Sequence, residues 1–436
     1  MFRNRRAQKA VGQGFFHGAE LKDGRTVLAR YVYDCGAMAH YRNECDREID
    51  GYVAKVGVGR KLDFLFISHA HADHINGVGR LLHRSKGLKI GTIILPLLED
   101  IDRLIAFART LVEDPGSAAT DFYRQFIVDP TAALSGFGPD QILYVESGSR
   151  EDGAPGRDGP PEGAPDGPRI FGGGSDGKPA WKLMGKGQVR SLNGTTKASG
   201  SGQAGPFVAV IPDTSAPTII GRTVSSHLSW LLAPYIDPTV SNSRVAFLDQ
   251  LAAEFGWTRA VLDKWLATPG SVEQLVIDHR PKLSAAYATI DKNLNVTTMC
   301  LYSGPHASNA TRIRGELNFH TRRWSFRGKR DRLAWLASGD AVFGKKKPRA
   351  NFLAHYGVLL KQVATFTLPH HGSDHNFHGD LLDAIRPDFC IASADRYSKW
   401  RHPGSYVIQE VASRGFLLFA VTSRERSSVC EEVKIS

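Results

Sequence analysis

Four side chains of metal-binding type occur within six residues, in His69-Ala-His71-Ala-Asp73-His74. They directly follow the apolar run at 61–68 (KLDFLFIS), which predicts a buried strand. On an irregular loop alternate residues can point the same way, so His69 and His71 can chelate one ion. Asp73 and His74 then face the other side and can hold a second ion. Imidazole and carboxylate donors together suit Zn²⁺, with Mn²⁺ or Fe as alternatives. The spacing predicts half of a two-metal hydrolytic site.

Two later runs offer the ligands that complete such a site. Asp340 closes the apolar strand RLAWLASGD, where its carboxylate can bridge two ions. On its own, Gly-Asp after a strand is also an ordinary turn. His370 and His371 close the run VATFTLP. Because each ligand segment follows an apolar strand, we expect all of them to meet at one edge of a sheet sandwich, where a bridged metal pair would activate water for hydrolysis.

Strand-like apolar runs alternate with helix-like spacing at both ends of the chain, which predicts an α/β fold. INGVGRLLHR, directly after His74, has the spacing of a helix. Residues 148–205 are rich in Gly, Pro and charge, and we expect an exposed loop or disorder there. We therefore divide the chain into a first half-domain at 1–97, an insertion at 98–215, and a helical segment with the second half-domain at 216–436.

These motifs resemble those of the metallo-β-lactamase superfamily and, more closely, the hydrolase domain of ComEC-type competence proteins. The matching pieces occur in the family's order from residue 11 to about residue 422: VGQG, YDCG, SHAHADHINGV, LASGDA, LPHHGS and Arg401-His402-Pro403. About two-thirds of the chain is covered, with 98–215 outside the match. The resemblance implies a four-layer αββα sandwich with the site at one edge, carrying a helical and low-complexity insertion.

The resemblance also implies a role for each residue. His69 and His71 would bind one metal, Asp73 and His74 the other, Asp340 would bridge, and His371 would complete the second metal. His370 would then support the site or protonate the leaving group, and the roles of these two adjacent histidines can also be reversed. The candidate catalytic residues are Asp73, His370 and His402. Asp34 would lie behind the histidine loop and orient it through hydrogen bonds, with an ordinary turn as the alternative.

Two departures from the family pattern affect what is transferred. Many members have a further histidine ligand between the first loop and the bridging Asp, but the corresponding run here, WLLAPY, offers none. The first metal would then have three protein ligands plus water, or be weakly held. His227 and His306 lie nearby and are interpreted as ordinary polar residues. Phe15 also stands where competence-type members commonly carry Asp, which weakens a transfer of their substrate preference.

The charge of the chain favours a polyanionic partner. The formal net charge is +11 and the pI is near 9.4, although a solubilising surface would give the same totals. Arginines and lysines with interleaved aromatics occur at 312–332, which is either a phosphate-binding surface or a solvated basic hairpin. A second group, of three lysines and an arginine, follows soon after Asp340. The candidate substrate-binding residues are Arg323, Lys346, Arg396, Lys399 and Arg401.

We therefore predict a metal-dependent hydrolase, a phosphodiesterase or nuclease acting on DNA or RNA, in a bacterial defence or mobile-element context. A small ester, lactam or cyclic nucleotide is the alternative substrate, and would predict a narrow pocket covered by residues 98–285, whereas a nuclease needs an open basic groove. A non-enzymatic interaction module of a multi-protein system is the third hypothesis. Five scattered cysteines and the lack of an apolar span or leader predict a cytoplasmic protein without a membrane partner.

Overall fold

The strands of the chain form two sheets. The computed structural model describes residues 1–148, 153–155, 171–172, 181–192, 205–222, 227–239, 243–289, 297–306, 313–397 and 400–436. Within them the strands are β1 (Phe2–Gln8), β2 (Gly14–Asp23), β3 (Thr26–Ala37), β4 (Lys61–Phe66), β5 (Lys89–Pro96), β6 (Gln141–Glu146), β7 (Phe171–Gly172), β8 (Trp181–Gly185), β9 (Arg190–Ser191), β10 (Phe207–Pro212), β11 (Ser215–Arg222), β12 (His227–Ile236), β13 (Met299–Pro305), β14 (Gly315–His320), β15 (Ser325–Arg330), β16 (Ala334–Ala337), β17 (Val363–Thr367), β18 (Phe389–Ser393), β19 (Leu417–Val421) and β20 (Val429–Ile435).

Helices connect many of these strands. The described α-helices are α1 (Arg42–Val56), α2 (Ala72–Ile75), α3 (Val78–Leu81), α4 (Asp100–Glu113), α5 (Pro115–Ala118), α6 (Asp121–Val128), α7 (Pro130–Ser135), α8 (Ser243–Phe255), α9 (Arg259–Leu266), α10 (Ser271–Ile277), α11 (Arg280–Ala288), α12 (Lys346–Tyr356), α13 (Asp380–Ile385) and α14 (Ser405–Ser413). None of these described helices combines the length and the hydrophobicity that crossing a bilayer requires.

The strand order brings parallel strands together in each sheet. The first sheet has the order β15-β14-β20-β1-β2-β3-β4-β5-β6-β10-β9 and the second has β19-β18-β17-β16-β13-β12-β11-β8-β7. Strands β3 to β6 run parallel, and so do β16 to β19. The carboxyl ends of parallel strands share one edge of a sheet, where loops are free to carry binding residues. Each sheet therefore offers one such edge.

Apolar side chains pack between the two sheets and on the outer face of each. Along β4, Phe64 and Phe66 point into the layer shared with the second sheet, whereas Leu65 packs with the helices on the other face. Phe366 of β17 packs with Phe352 of α12 on the outer face of the second sheet. Because β4 buries both faces, buried and exposed residues do not alternate along it, and its one carboxylate, Asp63, is buried as well. The chain is a mixed α/β protein of two layered sheets with helices outside them.

The glycine- and proline-rich region is partly ordered. The expectation of an exposed loop or disorder over 148–205 is wrong at β8, which pairs with β11 and buries Trp181 between the sheets at 1% exposure. One large aromatic side chain thus anchors a strand whose flanking sequence is polar. The parts at 149–152, 156–170, 173–180 and 193–204 lie outside the described residues. Residues 98–215 as a whole supply strands to both sheets as well as helices α4 to α7.

The helix predicted directly after His74 is shorter than expected. Helix α3 covers only Val78–Leu81, and α2 begins earlier, at Ala72, so that Asp73 and His74 lie on a helical turn rather than on an irregular loop. Asn76, between them, accepts a hydrogen bond from the backbone N–H of Ala37 at 3.1 Å and donates to Ser117 Oγ at 3.1 Å. The backbone of Gly77 bonds Cys35 O at 2.9 Å. These long-range bonds to the end of β3 replace the continuing helical bonds, so the loop is fixed against the sheet edge.

Candidate metal centre

The predicted metal-binding residues converge at the carboxyl ends of the parallel strands. The loop after β4 carries His69 to His74, and Asp340 follows β16. His370 and His371 follow β17. Met299 N–H donates to Ser68 O at 2.8 Å, which joins the edges of the two sheets at this point. Residues from both sheets thus meet in one place, as the spacing of the sequence predicts.

Two groups of three side chains could each hold a metal ion. The first triad is His69, His71 and Asp340, and the second triad is Asp73, His74 and His371. In each triad, one ligand atom from every side chain lies within 4.8 Å of the other two. All six residues are buried, with at most 7% exposure. Four imidazoles and two carboxylates, buried at this spacing, are a donor set that suits divalent metal ions.

Asp340 lies between the triads. Its Oδ2 is 3.4 Å from His69 Nε2 and 3.7 Å from His71 Nδ1. Its Oδ1 is 3.4 Å from His74 Nε2 and 3.9 Å from His371 Nε2. One carboxylate oxygen therefore faces each triad, which is the geometry that a bridging ligand requires.

Hydrogen bonds from behind turn three imidazoles toward the centre. His371 Nδ1–H donates to Ser393 O at 2.7 Å, and His74 Nδ1–H donates to Asp34 Oδ2 at 2.8 Å. His69 Nδ1 contacts Ser68 Oγ at 2.8 Å. When Nδ1 of a neutral imidazole carries the proton, Nε2 has a free lone pair for a metal. The fold has selected the nitrogen that each histidine presents.

Asp34 lies directly behind the histidine loop. Besides His74, it accepts from the backbone N–H and the hydroxyl of Ser68, both at 2.7 Å. It adopts a left-handed backbone with φ of 55°, a conformation in which Asp is enriched among non-glycine residues. Next along the chain, a Cβ on Gly36 would lie 2.7 Å from Ile75 N, so the end of β3 approaches the loop too closely for a side chain. These contacts explain the Asp-Cys-Gly run of the sequence.

The backbone at His370 and His371 is also left-handed, with φ of 48° and 59°. Such residues cost of order 1–3 kcal/mol each, so the surroundings must hold them in place. His370 N–H donates to Gly339 O at 2.9 Å, which ties this turn to the loop of Asp340. The turn directs the two adjacent side chains differently: His371 joins the second triad, whereas His370 Nε2 lies 3.6 Å from Asp340 Oδ2, on the side of the first triad.

The contacts of the buried nitrogen and oxygen atoms in the two triads favour bound cations. His371 gives its Nδ1 proton to Ser393 O, so in the neutral ring the bare Nε2 faces the carboxylate of Asp73 at 3.1 Å. Within the described part of the chain, His74 Nε2 and Asp340 Oδ1 are buried without a hydrogen-bond partner. Leaving buried polar atoms unpaired costs about 1–3 kcal/mol each. A metal ion that takes the place of the Nε2 proton of His74 would pair with both atoms, so the residues fit a divalent metal ion.

The electrostatics differ between the triads. Burial first, and Arg109 second, lower the pKa of His71 to about 3, and burial also lowers the pKa of His69. Burial alone would lower the pKa of His74 too, but Asp73, Asp34 and Asp340 outweigh it and hold that pKa well above its usual value. Negative charge is therefore concentrated around the second triad, where a proton or a metal ion is stabilised.

Arg109 is a site residue that the sequence reasoning missed. It belongs to α4, in the predicted insertion, and its Nη1 lies 3.4 Å from His71 Nδ1 while its Nη2 lies 3.1 Å from His370 Nε2. The available signal was an arginine four residues after Ile105, on the buried side of an amphipathic helix. Periodicity shows that such an arginine is buried, but not what it faces.

A small cavity beside the triads is closed on one side by the predicted insertion. It is lined by Gln13, Met38, His71, Ala72, Asp73, Arg109, Thr110, Glu113, Asp114, His370, His371 and Trp400. His402 lies in the adjoining wall, its ring centroid 6.2 Å from those of His370 and Trp400. Burial, followed by His371, lowers the pKa of His402 to about 4. On another side of the site, the ring of Phe15 stacks with that of His74, with 6.2 Å between the ring centroids.

None of the described candidate substrate-binding residues is among those that line the cavity. Arg396 and Arg401 are exposed on the loop that carries Trp400 and His402. Arg323 lies at the tip of the β14–β15 hairpin, four strands from β3, or about 19 Å at ordinary strand spacing. Lys346 is exposed in the first turn of α12 and has no hydrogen bond or ion pair among the described residues. Lys399 lies outside the described residues.

His227 and His306, the two histidines near the missing ligand position in sequence, lie away from the metal centre. Met299, at the start of β13, contacts the loop of the first triad. His306 follows the other end of β13, about 20 Å along the strand. His227 begins β12, which runs antiparallel to β13, and is therefore also at the far end. No additional histidine completes the first triad from these strands.

The comparisons with known proteins add no relative: no family model and no curated protein matches this chain. Functional inference therefore rests on the geometry of the two triads and their surroundings.

Proposed function

We propose that this protein is a dinuclear-metal-dependent hydrolase with a metallo-β-lactamase-type αββα sandwich, and that it cleaves phosphodiester bonds in DNA or RNA. The observation that carries the proposal is the position of Asp340, with one carboxylate oxygen toward each buried triad. The order of the motifs along the chain supports the same family.

The two triads would hold two divalent ions. Zn²⁺ is the preferred metal for both, and Mn²⁺ or Fe are the alternatives. Ions bound there would supply a water of lowered pKa and charge stabilisation for the attacking and leaving oxygens. Asp34, Ser68 and Ser393 orient the ligands. Such oriented ligands keep the site ready for substrate without rearrangement.

His370 is the candidate for a proton donor to the leaving oxygen. Its side chain is 18% exposed, more than those of the six triad residues, and it stands between Asp340 and the cavity. His402 lies next to it in the wall. Because burial holds the pKa of His402 at about 4, this ring is neutral at physiological pH and can exchange a hydrogen bond with His370 or the substrate.

Positive charge on the loop that contributes Trp400 to the cavity supports an anionic substrate. Arg396 and Arg401 extend from the loop that also places Trp400 at the cavity. Arginine grips phosphate oxygens in pairs, and a tryptophan can stack on a base. Because the triads are buried, we propose that a nucleic acid reaches them as a single strand or a strand end rather than as an intact duplex.

A small phosphodiester, such as a cyclic nucleotide, is the second candidate substrate. It is favoured by the contribution of α4 to the cavity, because Arg109, Thr110 and Glu113 cover the side that a wide groove would leave open. A covered cavity of this kind is what the small-substrate hypothesis expects from residues 98–285. Both candidates share the phosphodiester chemistry.

The test is hydrolysis by purified protein loaded with Zn²⁺ or Mn²⁺, on single-stranded DNA, duplex DNA, RNA and a cyclic dinucleotide. We expect cleavage of single strands or of the small diester, and loss of activity in the double variant Asp73→Ala, His74→Ala. His83→Ala, which changes an exposed histidine outside the site, is the matched control. If none of these substrates is cleaved with either metal, the phosphodiesterase proposal fails. Fewer than two bound ions per chain would contradict the dinuclear site.

A further inference from the structure

Arg109 is a buried guanidinium directed at the metal centre. The residue is 9% exposed. Its two terminal nitrogens face His71 Nδ1 and His370 Nε2, at 3.4 and 3.1 Å. Both partners lie on the side of the first triad, and His71 Nδ1 is the very atom of that ring that approaches Asp340. A histidine nitrogen that binds a metal has no lone pair left for an arginine, so Nη1 would be available to another acceptor.

The position of the guanidinium is fixed from behind. Glu113, one turn later on α4, accepts from Arg109 Nε at 2.6 Å. The backbone carbonyl of Glu113 in turn accepts from the Tyr397 hydroxyl at 2.9 Å, which ties the end of α4 to the loop that carries Trp400. Burial alone would lower the pKa of Arg109, but Glu113 first, then Tyr287 and Asp340, outweigh it and raise that pKa. The group is a fixed positive charge.

Arg103 on the same helix shows what a structural arginine looks like here. It is equally buried, at 8% exposure, and donates to the backbone carbonyls of Ile127, Leu98 and Val128 and to Asp100. Every nitrogen of Arg103 has an oxygen partner that belongs to the scaffold. Arg109 has one such partner, Glu113, and turns its other two nitrogens to the site. Structural packing of α4 explains Arg103 but not the direction of Arg109.

We propose that Arg109 is the residue that recognises the anionic substrate, by donating from Nη1 and Nη2 to the non-bridging oxygens of the scissile phosphodiester. The proposal rests on the proposed function for the identity of the bond that is cleaved. Because a guanidinium fork matches two oxygens of one phosphate, it favours a diester over a neutral ester or lactam. The insertion would thereby set the substrate class while the triads supply the chemistry.

The first measurement is binding of inorganic phosphate, by calorimetry, to Zn²⁺-loaded wild type and to Arg109→Gln and Arg109→Lys. We expect Arg109→Gln to weaken binding roughly 10- to 100-fold, the effect of losing hydrogen bonds to a charged group, and Arg109→Lys to weaken it less because the charge is kept. Metal content is measured on every variant and should remain as in the wild type. Phosphate binding that is absent in wild type, or equal within about twofold in wild type and Arg109→Gln, overturns the proposal.

The second measurement compares two substrates with the same leaving group, bis(p-nitrophenyl) phosphate and p-nitrophenyl acetate. We expect Arg109→Gln to lower kcat/KM for the phosphodiester by roughly 10- to 100-fold relative to the acetate. Arg103→Lys is the matched control for disturbance of α4 and should leave the ratio of the two rates unchanged. An equal loss for both substrates, or the same change of ratio in Arg103→Lys, would overturn the role in recognition.

The two proposals can fail separately. If wild type cleaves neither the model diester nor a nucleic acid, but phosphate binding still depends on Arg109, the phosphodiesterase assignment fails and the anion-recognition role stands. If diesters are cleaved equally well by wild type and Arg109→Gln, the phosphodiesterase assignment stands and the role of Arg109 fails. Thermal unfolding of each variant shows whether a loss of binding or activity comes from misfolding. If Arg109→Gln is misfolded, the binding and the rates of Arg109→Lys decide whether Arg109 recognises the phosphate.

Discussion

The two triads use similar ligands but are supported differently. In the second triad, His74 is held by Asp34 and His371 by Ser393 O, so each imidazole is fixed by a strong acceptor behind it. In the first triad, His69 rests on a hydroxyl, and His71 Nε2 is buried without a hydrogen-bond partner among the described residues. Carboxylate or carbonyl partners fix the tautomer and raise the basicity of a metal ligand. The second triad is therefore the better prepared metal site.

The charge around the triads differs in the same sense. Asp34 and Asp73 add negative charge beside His74, whereas Arg109 adds positive charge beside His71. A cation is therefore stabilised more strongly in the second triad, beside His74, than in the first triad, beside His71. Similar ligands in one site therefore differ in how strongly their surroundings favour a cation, and the less favourable triad is the one beside Arg109. We expect unequal affinities for the two ions.

The largest effect is expected at the residue that the two triads share. Asp340→Ala removes one ligand atom from each triad, so the affinity for both ions should fall. The rate of hydrolysis should fall by more than about 10³-fold. Metal content by mass spectrometry and the rate on a phosphodiester check this. Asp213→Ala is the control for the loss of a buried carboxylate outside the site, and it should keep both ions. Asp213 accepts from the backbone N–H groups of Gly148 and Ile236. Retention of two tightly bound ions in Asp340→Ala would contradict the bridging geometry.

Asp34→Asn should separate the triads. It removes the charge behind His74 and leaves His69 and His71 with their own contacts, so only one of the two ions should bind more weakly, by roughly 10- to 100-fold. Competition with a chelator, followed as two phases, measures each affinity. The comparison would be broken by an equal weakening of both phases, which would mean that Asp34 acts through the fold of the loop.

The pH dependence of metal binding should differ as well. The pKa of His74 is raised well above 6.5, so at neutral pH a metal that enters the second triad must displace a proton, and its affinity should rise about tenfold per pH unit below that pKa. His71, with a pKa of about 3, is already neutral, so binding to the first triad should vary little above pH 5 or so. Calorimetry in buffers of different ionisation enthalpy counts the protons. Release of none for the tighter ion would show that His74 is not charged beforehand.

The smallest effect is expected from a change at Thr298, which lies behind the ring of His69. Thr298 Oγ1 lies 3.5 Å from His69 Nδ1 and accepts from Asp340 N–H at 3.3 Å. Ser68 is the closer partner of His69, so Thr298→Val should change the affinity of the first triad by only about two- to fivefold. The same chelator titration measures it. A loss as large as that of Asp34→Asn would mean that the first triad is fixed from behind as firmly as the second.

Much of the site could be predicted because its ligands lie in short segments after apolar strands. His69 to His74 follow β4, Asp340 follows β16, and His370-His371 follow β17, so the strand ends that patterning predicts are also where the structure places these side chains. Ser393 O could not be predicted, since a backbone carbonyl leaves no trace in residue type. Arg109 could not be assigned to the site either, because its role depends on how α4 docks against the sheet edge.

The residue types by themselves determined the chemistry that this protein offers: imidazoles and carboxylates in a spacing that favours two divalent metal ions. The spacing also paired His69 with His71 and Asp73 with His74. Only the tertiary structure decided that His371 rather than His370 joins the second pair, since Asp73 and His371 are 298 residues apart in the chain and meet across the two sheets. It also decided which nitrogen each histidine presents and which triad lies beside Arg109. Ligand preference is a property of single side chains, whereas these decisions depend on distances that exist only after the sheets have packed.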